Sequence, residues 1–108
     1  MGKINTSEFL KLTKADGVII LNEKGELLEE AGISNKDNIG AMLAVIHQMV
    51  NDFTQEANIG GLHQLVVKAE KGLFMFGKMD DIIIGIHSQD ISKTGLITAS
   101  MNKLINST

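Results

Sequence analysis

The stretch Leu62 to Ile86, LHQLVVKAEKGLFMFGKMDDIIIGI, decides the fold of this chain. From Leu62 to Glu70 the residues alternate, with Leu65, Val67 and Ala69 on one face and Gln64, Val66, Lys68 and Glu70 on the other, which is the period of a strand. Lys71-Gly72 then turns the chain into Leu73-Phe74-Met75-Phe76, and Asp80-Asp81 turns it again into Ile82-Ile83-Ile84-Gly85-Ile86. Links this short join antiparallel neighbours, because a parallel pair needs a crossover of about a dozen residues. The stretch therefore reads as a three-stranded meander.

Before it stands a hairpin, GVIILNEKGELLEEAG from Gly17 to Gly32, in which β-branched Val18, Ile19 and Ile20 favour a strand and Gly25 supplies the positive φ of the turn. The second arm, Glu26 to Ala31, carries three glutamates and suits a sheet edge. Between hairpin and meander, Ile39, Met42, Leu43, Ile46, Met49, Val50 and Phe53 recur at three and four, so a helix runs over this span with Asp37 or Asn38 as its cap. Those residues are expected to face the sheet. Gly40 and Ala44 form a second, shallow stripe that would admit a close partner. Thr54 to Gly61 reads as a polar loop. A short helix capped by Thr6 or Ser7 and bearing Phe9, Leu10 and Leu12 opens the chain; a closing helix near Ser92 to Ile105 aligns Leu96, Ile97, Met101, Leu104 and Ile105. The expected architecture is α+β: a five-stranded antiparallel sheet flanked by three helices, in one domain over residues 1–108.

Composition narrows the function. The sequence contains no Arg, Tyr, Trp, Pro or Cys, so every basic residue is a lysine and the bidentate guanidinium clamp on phosphate or carboxylate is missing. A net charge of −3, without a basic cluster, removes the electrostatic driving force for nucleic acid. Without cysteine there is neither a disulfide framework nor a thiolate nucleophile. The Met1-Gly2-Lys3-Ile4-Asn5 start has no apolar signal core, and no run approaches the roughly 20 apolar residues of a membrane span, so a cytoplasmic protein is expected.

Candidate chemistry is thin. His47, His63 and His87 lack the i, i+4 spacing of a metal pair, and Glu29-Glu30 and Asp80-Asp81 read as solvated carboxylates. Gly60-Gly61 lacks the lysine and hydroxyl of a phosphate loop, and Ser88 has no nucleophile-elbow context. No catalytic, metal or cofactor residue is assigned, and no enzyme is expected.

Taken end to end, the hairpin GVIILNEKGELLEEAG, the helix IGAMLAVIHQMV and the meander with its KG and DD turns resemble a roadblock domain, the family of the roadblock dynein light chains and of small partners of Ras-like GTPases. The resemblance implies a roadblock/profilin-like fold and a homodimer made by pairing third strands edge to edge and packing long helices together. Here that would place the dimer interface at Gly40, Ala44, His47, Leu62, Gln64, Val66 and Lys68. It also implies a small Ras-like GTPase as partner, met by polar groups of the long helix at His47, Gln48 and Asn51. Without arginine the chain has no arginine finger to offer, so any effect on nucleotide state works through the GTPase's own residues. The competing reading is a small-molecule sensor module of PAS or profilin-like type, against which the scarcity of aromatic and convergent polar groups counts.

Overall fold

The computed structural model describes residues 6–106, with side chains as far as Lys103. In chain order the elements are α1 (Thr6–Thr13), β1 (Gly17–Asn22), β2 (Leu27–Ala31), α2 (Lys36–Glu56), β3 (Gln64–Ala69), β4 (Gly72–Met79), β5 (Ile82–Ser88) and α3 (Thr94–Asn106), the last entered through a 3-10 turn at Ile91–Lys93. The strands form one antiparallel sheet in the order β2-β1-β5-β4-β3. This is the α+β architecture that the sequence pattern predicts. Because β1 pairs with β5, the hairpin joins the meander side by side, which leaves β2 and β3 as the two edges.

Strand alternation divides the core into two layers. Val18, Ile20, Leu73, Met75, Met79, Ile82, Ile84 and Ile86 face α1 and α3, where Phe9, Ile97 and Met101 close over them. On the opposite side Ile19, Leu21, Phe76 and Ile83 meet Leu43 of α2, with Ile33 and Leu62 completing the layer. The hairpin turn is held by Asn22, whose Oδ1 accepts from the backbone N–H groups of Lys24 and Glu26. Gly25 sits there at φ +86°, and a side chain on it would strike Cβ of Ala44 at 2.6 Å. Asp90 caps the 3-10 turn by accepting from the Ser92 N–H.

Three sequence expectations need correction. The helix α2 is longer than its apolar period suggests, and Thr54, Gln55 and Glu56 belong to it rather than to a loop. The N-cap is Asn35, which makes no side-chain cap hydrogen bond, whereas Asp37 and Asn38, the expected caps, lie within the helix. Leu12, expected on the packed face of α1, is exposed because Phe9 and Thr13 take the sheet-facing positions. The Met1 to Asn5 start and the side chains of Leu104 and Ile105 lie outside the described residues. Among the described residues no helix is long and apolar enough to cross a membrane.

Candidate functional site

The contacts of α2 trace its path across the sheet. Lys36 at its start pairs with Glu30 of β2 at 3.8 Å, and Gly40 lies over Ile19 and Leu21 of β1. Leu43 reaches Gly85 of β5, and the ring of His47 stands 6.1 Å from that of Phe76 on β4. The helix therefore runs across the strands, from the β2 edge toward the β3 edge.

Its orientation about its own axis overturns the sequence expectation. The shallow stripe is the one that meets the sheet: Gly40 is buried, Leu43 is 3% exposed, and Ala44 rests against the Gly25 turn. A Cβ at Gly40 would already stand 3.3 Å from Leu21. The large residues Met42, Val45, Ile46, Met49 and Phe53 face outward, with Met49 66% and Phe53 67% exposed. The physical reason lies in the bulk below, because Ile19, Leu21 and Phe76 fill the sheet surface and small residues on the helix let it approach. Gly40 accordingly belongs to the interior of the protomer and Ala44 is partly buried there, and the outward stripe lies about half a turn from the expected one.

The remaining candidates separate in the same way. Leu62, expected at a dimer interface, is buried in the layer beneath α2. Asn51, expected to meet a partner, has its Oδ1 occupied by the Leu62 N–H at 2.8 Å and so fastens the loop before β3. Gln48 is exposed and donates to the carboxylate of Asp52 at 3.1 Å. Gln64, Val66 and Lys68 lie on the free edge strand, on the face turned to α1 and α3.

Backbone parity says more about that edge. The Lys78 N–H donates to the His63 carbonyl, so this pair is a hydrogen-bonded one and every second pair along the ladder alternates with it. Leu65 and Val67 consequently bond to β4. Gln64, Val66 and Lys68 sit opposite Gly77, Met75 and Leu73 without bonding to them, so their N–H and C=O groups point away from the sheet. Such a row is a template for another strand. The edge β2 is different in kind: Glu29 and Glu30 and a register irregularity opposite Ile20/Leu21 discourage pairing there.

His47 is held between α2 and the sheet, with its buried Nε2 unpaired among the described residues. Burial, and secondarily the ammonium of Lys78 on β4, holds its pKa below the ordinary value; Lys78 itself pairs with Glu23 at 3.5 Å. The unfolded chain takes up a proton that the folded chain resists, so stability is full above about pH 6.5 and declines as the pH falls below it. Urea midpoints between about pH 7 and pH 5.5 should fall less in His47→Leu than in the wild type. An equal fall in both would assign the dependence to other groups.

Sequence comparison finds no matching family model and no matching curated protein. Solved structures do match. MglB of Myxococcus xanthus superposes with a TM-score of 0.84 at 12% identity, covering 92% of this chain and 84% of that one. A structure described as MglB with tetrameric arrangement gives 0.84 at 11% identity, over 94% of this chain and 80% of the other. A Roadblock/LC7 domain from Streptomyces avermitilis gives 0.81 at 12% identity, over 97% and 94%. Over nearly its whole length this chain has the Roadblock/LC7 fold.

Proposed function

We propose that this protein is a non-catalytic scaffold that forms a homodimer and binds a small Ras-like GTPase. The observation that carries the reading is the pairing of an outward apolar flank on α2 with an unfilled strand edge at β3. Five large apolar side chains on one helix flank form a contiguous apolar patch of the size that often marks an interaction site. Self-association on this fold is supported by the tetrameric arrangement of an MglB structure.

In the proposed dimer, the two β3 strands run antiparallel with Val66 opposite its own copy. That register uses the outward N–H and C=O groups of Gln64, Val66 and Lys68 from both chains, giving six hydrogen bonds across a two-fold axis, and continues the sheet through the junction. The Met49–Phe53 ends of the two flanks then meet above it. The GTPase is proposed to sit on the paired helices, where Gln48 is exposed and the soft Met side chains adapt to a partner. With every basic residue a lysine, the chain acts on nucleotide state by positioning the switch loops of the GTPase, whose order depends on the γ-phosphate.

The test is a pulldown from native lysate with the nucleotide fixed as a GTP analogue or as GDP. A small GTPase should be recovered with a preference for one state, and Gln48→Glu should weaken its binding while leaving the dimer intact. Recovery of no GTPase in either state would refute the partner and leave the dimer standing.

A further inference from the structure

The helix α2 is longer than the sheet beneath it. From Lys36 over β2 to His47 over β4 is about 16 Å of helix, which matches the three strand spacings of about 14 Å between those strands. From His47 to Glu56 the helix continues for about 13 Å, while only β3 remains, about 5 Å further on. The last two turns therefore project beyond the β3 edge by roughly 8 Å. Phe53 lies on this projection, and the turn that ends it holds Ile59, 72% exposed, with its N–H on the Thr54 carbonyl.

The same chain has an uncovered stretch of sheet on the α2 side. Ala44 and Asn51 fasten one flank of the helix to the Gly25 turn and to Leu62, both at the end of the sheet where β3 begins. The far end stays open. There Val67, Ala69, Phe74 and His87 border a recess of about 240 Å³, with the Phe74 and His87 rings stacked at 6.4 Å. Val67 is 45% exposed in it.

A two-fold axis through Val66 exchanges the two features. It turns β3 end for end, so the projecting end of one α2, which leaves the sheet above the start of its own β3, passes over the far end of the other β3. We infer that the end of α2 and the Ile59 turn of one copy seat in the Val67–Ala69–Phe74–His87 recess of a second copy, and reciprocally. This inference rests on the dimer proposed above.

A chain without cysteine allows a direct test. Within one protomer Ile59 precedes the start of β3, and Ala69 stands at its far end, about 17 Å beyond Gln64, so a disulfide between them must join two copies. The double variant Ile59→Cys with Ala69→Cys should give a reducible covalent dimer under mild oxidation, while each single variant should not. A dimer in sedimentation without the covalent species would overturn the seating and leave the dimer reading intact. Cross-linking by Ile59→Cys alone would overturn it as well, because the two turns would then meet each other on the axis. A monomer in sedimentation would remove both readings together.

Discussion

Met49→Glu should convert the proposed dimer into a well-folded monomer. Met49 lies at the centre of the outward α2 flank, 66% exposed in the isolated protomer, so a glutamate there meets water in the monomer and costs the fold little. In the proposed dimer the same substitution buries a carboxylate on each side of the two-fold axis, where arginine is absent and the proposed facing surface is apolar. Two unpaired buried charges at about 3–5 kcal/mol apiece cost about 6–10 kcal/mol, so the association constant should fall by more than about ten-thousandfold. Sedimentation equilibrium gives that number, and the thermal midpoint of the monomer reports whether the fold survives. Ala44→Glu is the discriminating partner. Ala44 is partly buried against the Gly25 turn, so its replacement should destabilise the protomer itself rather than merely separate two copies. A Met49→Glu protein that stayed dimeric would remove the α2 flank from the interface.

The contrast between those two positions shows where the sequence speaks and where it does not. Strand identity was legible because alternation, the Gly25 turn and the Lys71-Gly72 and Asp80-Asp81 links each carry a local physical cause. Sheet order followed only in part: short links dictate antiparallel neighbours, but the pairing of β1 with β5 is non-local and no local signal specifies it. The orientation of α2 was misread for a definite reason. An arc of apolar residues wide enough to include Gly40, Leu43, Ala44, Ile46, Met49 and Phe53 can bury either side, and the usual rule gives the larger side chains to the core. Here the sheet already supplies the bulk through Ile19, Leu21 and Phe76, so close approach through Gly40 and Ala44 wins and the large residues turn outward. His47 and Asn51 were drawn into the partner surface by the same error. In the protomer His47 instead lies against Phe76 of the sheet at mid-helix, and Asn51 holds the loop before β3. A signal was present in Gly40, since a mid-helix glycine costs about 1 kcal/mol relative to alanine and is retained where a backbone must come close.

The edge of β3 leads to the second large effect, and here the direction of one N–H matters more than its residue type. Val66 is opposite Met75 in a pair that makes no hydrogen bonds, so its N–H points out of the sheet and proline there removes no bond to β4. The ring's fixed φ and its constraint on Leu65 both favour extended backbone, which is what the strand already has, and edge strands accept proline where the N–H faces outward. The protomer should therefore keep its fold. In the proposed dimer each chain loses the donor at the two-fold axis, two hydrogen bonds disappear, and two Val66 carbonyls are left unpaired at about 1–3 kcal/mol apiece. Val66→Pro should thus weaken association by more than about a hundredfold while the thermal midpoint of the isolated protomer shifts by a few degrees at most. The comparison that decides the register is Val67→Pro. Its N–H bonds to β4, so that substitution should damage the protomer itself, lowering the midpoint strongly whether or not a second copy is present. If Val66→Pro proved the more destabilising of the two to the monomer, the ladder would have the opposite parity and Val66 would bond inward. If Val66→Pro kept full dimer affinity with its fold intact, the β3 edge would not be paired in the dimer, and the α2 flank would have to hold the two copies together alone.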